Sequence, residues 1–457
     1  MPTPVILWFR QDLRLADQPA LVAACHDGPV IPVYVLDDET PGDHAMGGAS
    51  RWWLHHSLAA LDASLRDKGA RLILRRGRAD DVLAKLAKEL GAARVHAVRH
   101  YEPWWIETEE RLARAVDLAL HDGNQLAPPG SIVTGAGKPF KIYTPFWRAL
   151  SRYMPPDAPL HRPRDIPAPS KWPKSETLAS WDLLPTKPDW SKGFDDWTPG
   201  EEGAHAALDA FRDHAARYEQ TRNLPSEDGT SRFSPHLHFG ELSPRQIWHR
   251  VADAGGSVRT FLSEVAWRDY AQNIIAQYPD VGRRNTREPF DKLPWRTGKA
   301  AHDDLRAWQK GRTGYPIVDA GMRQLWTTGW MHNRVRMITA SFLIKHLLID
   351  WREGERWFWD CLVDADYGNN GVNWQWTAGS GVDSNMFSRI MAPLVQSEKF
   401  DAAGYIREWV PELADLPDAA IHDPDEAGCQ PVAYPEKVIG HREARERALA
   451  AYAKTKG

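Results

Sequence analysis

Val5-Ile6-Leu7-Trp8-Phe9-Arg10-Gln11-Asp12-Leu13-Arg14 decides how the first third of the chain is read. Five apolar, β-prone residues run without interruption and then turn at once to charge. Comparable runs follow at Val30–Leu36, Leu72–Leu74 and Val95–Val98. Between them, apolar residues recur at helical spacing: Trp52, Trp53, His56, Leu58, Leu61 and Leu65, then Val82, Leu83, Leu86 and Leu90. Strand alternating with helix predicts a parallel, doubly wound α/β domain over residues 1–130. No G-x-G-x-x-G follows the first strand, which disfavours an ordinary dinucleotide-binding domain.

The pattern then changes. Residues 151–200 hold ten of the 34 prolines, a density that breaks regular structure and predicts a connector over 131–200. From 201 to 457 the periodicity is helical, as in Leu208, Phe211, Ala215 and Tyr218, and in Val335, Ile338, Phe342 and Leu343. A last helix is expected from Glu443 to Lys454.

Composition narrows the function. The chain is 42% apolar and 26% charged, ordinary globular usage. Three cysteines, Cys25, Cys361 and Cys429, have no paired spacing, which argues against a disulfide framework or a thiolate zinc site and fits a reducing compartment. No apolar run reaches membrane-spanning length, and Met1-Pro2-Thr3-Pro4 lacks a leader's basic start, so a cytoplasmic protein with no membrane partner is expected. The net charge is −4, so any nucleic-acid site must be a local basic surface. Most of the 22 tryptophans are expected to pack cores.

Four segments of the helical part carry chemistry. Thr230-Ser231-Arg232-Phe233-Ser234 follows Gly229 and reads as a helix start, which can be a phosphate site or an ordinary cap. In Gly329–Met337, Asn333 shares a helical face with Arg336 and Met337; Arg336 either meets a ligand or pairs with a structural carboxylate, and His332 reads as structural. Asp364-Ala365-Asp366-Tyr367-Gly368-Asn369-Asn370 reads as a polar loop, but Asn369 and Gln375 stand where a calcium loop needs Gly and Glu. Glu264 and Trp267 lie one helical turn apart, where a carboxylate could accept from a base edge while an indole stacks on it; the plainer reading pairs Glu264 with Arg268.

These segments, in this order, resemble the photolyase/cryptochrome family, most closely its class I-like members acting on cyclobutane pyrimidine dimers. The most specific string is Gly311-Arg312-Thr313-Gly314-Tyr315-Pro316-Ile317-Val318-Asp319-Ala320-Gly321-Met322-Arg323-Gln324-Leu325, running into Trp330–Met337. Trp8–Arg14 is similar too, and the likeness spans nearly the whole chain. It implies an α/β antenna domain, a long linker and an all-helical domain holding FAD. Tyr218, Thr230, Ser231, Arg232, Phe233, Ser234, Arg268, Asn333, Arg336, Asp364, Asp366 and Asn370 would bind that cofactor, with Asn370 facing flavin N5. Glu264, Trp267, Asn333, Met337 and Trp376 would contact the dimer, with Arg222 and Arg334 on DNA phosphates. Trp374, Trp351 and Trp295 would relay electrons.

The implied activity is that of a carbon-carbon lyase: light-driven repair of ultraviolet-damaged DNA by a monomer. The alternative is a blue-light photoreceptor signalling through a partner. Glu264 and Asn370 favour repair, since plant cryptochromes typically carry Asp at the N5-facing position. His332-Asn333 stands where relatives acting on the pyrimidine–pyrimidone photoproduct have His-His. Tyr101-Glu102-Pro103-Trp104-Trp105 replaces the Asn-Glu pair of folate-binding relatives, so a second antenna chromophore, folate or deazaflavin, stays open.

Overall fold

The computed structural model describes residues 3–256, 258–384 and 386–455; Met1 and Pro2, on which the leader expectation partly rests, lie outside them. The first part alternates as β1 (Val5–Phe9), α1 (Pro19–Asp27), β2 (Val30–Leu36), α2 (Gly48–Arg66), β3 (Ile73–Arg76), α3 (Ala79–Leu90), β4 (Val95–Val98), α4 (Pro103–Ala113) and β5 (Leu118–His121). All strand pairs are parallel, in the order β3-β2-β1-β4-β5. The continuous apolar runs of β1 and β2 are buried throughout, as a sheet covered on both faces requires.

The two edge strands depart from the expectation. β3 starts one residue late and ends on Arg75-Arg76, and β5 was not anticipated at all. Edge strands carry charge and half-exposed residues, so their apolar signal is weak.

Within the proline-rich connector, α5 (Tyr143–Leu150) forms, while 151–200 makes only 3-10 turns. The helical part comprises α6 (Glu201–Arg212), α7 (Tyr218–Thr221), α8 (Ser234–His238), α9 (Pro244–Val251), α10 (Val258–Gln277), α11 (Lys299–Gln309), α12 (Pro316–Thr328), α13 (Asn333–Ser341), α14 (Trp351–Cys361), α15 (Tyr367–Ala378), α16 (Pro393–Lys399), α17 (Ala403–Trp409), α18 (Asp418–Ile421) and α19 (His441–Ala453). Its largest apolar cluster joins α12, α13, α14, α15 and α19 around Trp308, Met322, Phe342 and Trp351. No helix among the described residues is long and apolar enough to cross a membrane.

The charged loop after β1 welds the two parts together. Arg14 is fully buried. Its Nε and Nη2 donate to Asp17 O at 3.1 and 3.0 Å, Nη2 also to Gly123 O at 2.8 Å, and Nη1 to Asn124 Oδ1 at 2.9 Å and Gly240 O at 2.8 Å. All five guanidinium hydrogens are therefore satisfied. Glu201 accepts from the Leu15 and Ala16 amides at 2.9 Å each, and Asp17 takes Arg245 at 2.6 Å. Gly240 sits at φ +66°, where a Cβ would fall 2.2 Å from Gln11 O, so only glycine allows this approach.

In a doubly wound sheet the ligand crevice lies where strand order reverses, here between the C-terminal ends of β1 and β4. Arg10 fills that place. It pairs with Glu109 at 2.8 Å and lies 4.1 Å over the Trp8 ring and 5.4 Å from that of Trp105.

A second contact between the parts titrates. Asp269 on α10 accepts from the Ala127 amide at 2.7 Å, and burial raises its pKa from 3.8 to about 7. The folded chain thus holds a proton that the unfolded chain releases in this interval, so this group's contribution to stability falls as pH rises through it. Asp269→Asn keeps the acceptor and removes the titration. Urea unfolding across pH 4 to 7 is expected to show the variant gaining steadily on the parent as pH rises.

Candidate functional site

A cavity of about 480 Å³ opens in the helical part. That lies within the usual range for small-molecule and cofactor pockets, roughly 300–1,000 Å³. Tyr218, Arg222, Thr230, Ser231, Arg232, Phe233, Ser234, Glu264, Trp267, Arg268, Asn333, Arg334, Arg336, Met337, Asp364, Asp366, Asn370, Trp374 and Trp376 all line it. Of the residues singled out from the sequence, Trp351 and Trp295 are not among them.

The first wall is a loop. The helix expected over Thr230–Ser234 begins only at Ser234, with no side-chain cap, because Arg232 turns the backbone into the left-handed region at φ +50°. Such a conformation in a non-glycine residue costs on the order of 1 kcal/mol and persists only where surroundings enforce it. Here the Arg232 guanidinium rests 5.0 Å over the Trp330 ring.

The second wall is α13. His332 caps it, its Nδ1 accepting from the Arg334 amide at 3.2 Å. Burial, with Arg334 and Arg336 nearby, lowers its pKa to about 4, which keeps the accepting nitrogen unprotonated. One turn on, Arg336 meets Asp364 through two bonds of 3.1 and 2.9 Å and donates from Nε to Met331 O at 2.7 Å. Arg334 donates to Asn223 at 2.6 Å and lies 4.5 Å over the Phe400 ring.

The third wall is α10. Glu264 meets Arg222 at 2.5 Å, while Arg268 donates to Leu237 O at 3.1 Å; the i,i+4 pairing is not the one formed. Trp267 stacks on Tyr143 with centroids 3.7 Å apart and 12° between planes, and Tyr270 meets it edge-on at 5.2 Å. One indole face is covered and the residue still lines the cavity.

The fourth wall is α15, where the expected polar loop is a helix from Tyr367 onward. The cause is Asp366, whose carboxylate accepts from the Asn369 amide at 2.7 Å and caps the first turn. Burial pushes its pKa up, but His238, Arg268 and that amide together bring it below the usual carboxylate value. Asn370 donates from Nδ2 to Glu355 Oε1 at 2.9 Å and to Glu355 O at 3.2 Å.

Behind this wall lie the other tryptophans. Trp374 packs on Phe358 at 5.0 Å and on Trp308 at 6.4 Å. Trp351, on α14, is fully buried and donates to Asn285 at 2.9 Å; Trp295 packs half-buried against the same core.

Sequence reading missed His238, Trp330, Phe358 and Glu355. Glu355 lies one helical turn beyond Trp351, so the spacing was legible, but which face of α14 turns toward the cleft was not. The cleft gathers five arginines and three carboxylates, a local positive excess in a chain of net charge −4. Loop hydroxyls beside Arg232, carboxylates and amides over a shared floor, and aromatic walls suit a ligand with phosphates at one end and a polar planar ring at the other. FAD fits that description.

Residues 5–168 match the family described as DNA photolyase, and 261–454 match that described as the FAD binding domain of DNA photolyase. A deoxyribodipyrimidine photo-lyase of Agrobacterium fabrum is 48% identical over 99% of this chain and 98% of its own length. Cryptochrome-1 of Arabidopsis thaliana is 36% identical over 97% of this chain and 69% of its own length. The crystal structure of a class III photolyase from Agrobacterium tumefaciens superposes with a TM-score of 0.94 at 47% identity, covering 100% of this chain and 98% of that one. That neighbour bears the class III designation, where the sequence led to a class I-like expectation.

The ion pair between Arg336 and Asp364 gives a test that needs no ligand. Asp364 is nearly inaccessible, and removing the partner of a buried charge costs about 3 kcal/mol or more. Arg336→Met is expected to lower the unfolding free energy of the ligand-free protein by about that amount in urea titration, and Arg336→Met with Asp364→Leu to recover part of it.

Proposed function

The chain belongs to the photolyase/cryptochrome family, and from that membership we propose that it repairs cyclobutane pyrimidine dimers in DNA under blue light. The observation that carries the reading is the single cleft in which an arginine-rich, hydroxyl-bearing loop, the Arg336–Asp364 pair and an open Trp267 face converge. When bound there, reduced and photoexcited FAD supplies an electron that opens the cyclobutane ring and then returns.

The chain's own residues do the rest. Thr230, Ser231, Arg232 and Ser234 hold the cofactor's phosphates, with Tyr218 and Phe233 flanking them. Arg336 offsets negative charge on the ring while Asp364 keeps its guanidinium in place. Asp366, Arg268, Asn333 and Asn370 complete the ring's polar contacts.

A dimer must leave the duplex to enter, which costs a few kcal/mol and least for a damaged pair. Stacking on the open face of Trp267 returns roughly 1–3 kcal/mol per base. Trp376 and Met337 line the same chamber, and Glu264, set by Arg222, accepts from the base edge. Arg222 and Arg334 draw the phosphates. Trp374 at the wall, Trp351 behind it and Trp295 toward the surface form the path by which the oxidised protein is recharged.

Anaerobically reduced protein mixed with ultraviolet-irradiated oligothymidine is expected to restore thymine absorbance in blue light and not in the dark. Absence of recovery, with flavin that still photoreduces, would transfer the reading to a photoreceptor. Glu264→Ala is expected to keep full flavin content and weaken binding of dimer-containing oligonucleotide about tenfold, the size of one hydrogen bond to a charged group. Trp351→Phe is expected to abolish photoreduction of the oxidised protein, followed by the loss of the oxidised flavin's visible absorption, while repair by chemically reduced protein persists.

A further inference from the structure

His44 belongs to the α/β part, on the single turn Gly42–His44, yet it ends beside the cleft of the helical part. It is buried, and its ring lies 4.8 Å from Tyr367, 5.1 Å from Trp359 and 6.0 Å from Trp104. Neither ring nitrogen has a hydrogen bond within the described residues. A carboxylate side chain stands close by, with Nε2 3.4 Å from Glu355 Oε1.

Glu355 is itself 1% exposed, and its Oε1 is the oxygen that takes the Asn370 amide. Because both hydrogens of Asn370 Nδ2 go to Glu355 oxygens, the carboxamide oxygen is the atom left for the cavity. The His44 segment cannot drift from this place. Trp359 Nε1 donates to Ala45 O at 2.8 Å, the Gly48 amide donates to Asp360 at 2.9 Å, and a Cβ on Gly47 would lie 2.4 Å from Trp359 O.

We propose that His44 is a positioning residue for the flavin: by holding Glu355 it fixes the Asn370 carboxamide with its oxygen toward the cleft, so that the α/β part sets the redox poise of the cofactor bound by the helical part. The inference rests on the reading of Asn370 as the residue facing flavin N5. An accepting oxygen there favours the reduced ring, whose N5 bears hydrogen, over the oxidised ring, whose N5 only accepts. Were Glu355 free to move or neutral, the carboxamide could turn and offer its NH₂, and the preference would reverse.

The test is the oxidised-to-reduced flavin ratio of the full-length, FAD-loaded protein at one fixed potential, read by absorbance with redox mediators present. Glu355→Gln and His44→Phe, which keeps ring packing but loses the nitrogens, are each expected to raise that ratio about tenfold, the size of one hydrogen bond to a charged group. His44→Gln restores a donor and is expected to return the ratio toward the parent's, and the double variant to go no further than Glu355→Gln alone. Equal shifts in His44→Phe and His44→Gln would make the role one of packing and overturn the proposal. An unmoved ratio in Glu355→Gln and His44→Phe overturns it as well, and leaves the reading of Asn370 standing if Asn370→Ala still shifts. An unmoved Asn370→Ala would overturn both.

Discussion

A guanidinium buried between the α/β and helical parts has to find acceptors for five hydrogens, and Arg14 finds them on three separate stretches of chain. An isolated buried charge would cost several kcal/mol, so the interface exists only where Asp17, Gly123, Asn124 and Gly240 are all in register. That requirement explains the charged loop after β1. The same close approach requires glycine at 240, where a Cβ would fall 2.2 Å from Gln11 O. The near walls of the cleft inherit their position from this joint, since α8 ends just before Gly240 and α9 and α10 follow it.

The cleft then solves a problem of charge. A protein with net charge −4 repels a polyanion at long range, yet five arginines converge on one cavity. Each is restrained: Arg336 by Asp364, Arg222 by Glu264, Arg268 by a backbone carbonyl, Arg334 and Arg232 over aromatic rings. Prior fixation of long side chains removes part of the entropy that a ligand would otherwise have to offset.

Much of this was legible in the chain. The parallel sheet was readable from β1, β2 and β4, whose burial on both faces enforces continuous apolar runs, and less so from β3 and β5, where the edge admits arginine and histidine. The composition of the cleft was legible through resemblance, and nearly every singled-out residue lines it. What stayed hidden depended on which way helices turn. Glu264 chose Arg222, remote in sequence, over Arg268, its neighbour on α10. Asp366 converts an apparent loop into a helix by a bond that composition does not display. Nothing around Gly42–His44 signals contact with α14, because that pairing is made by tertiary packing alone.

The filled crevice between β1 and β4 has a further meaning for how such a molecule tolerates change. Doubly wound sheets ordinarily diversify by altering the residues at that point, since the ligand waits there. Arg10, Glu109 and two indoles already occupy it, so the sheet has surrendered its usual ground for innovation and become a mounting plate. Substitutions there should be read as faults in assembly, and new chemistry in this architecture should be sought in the helices that the plate holds.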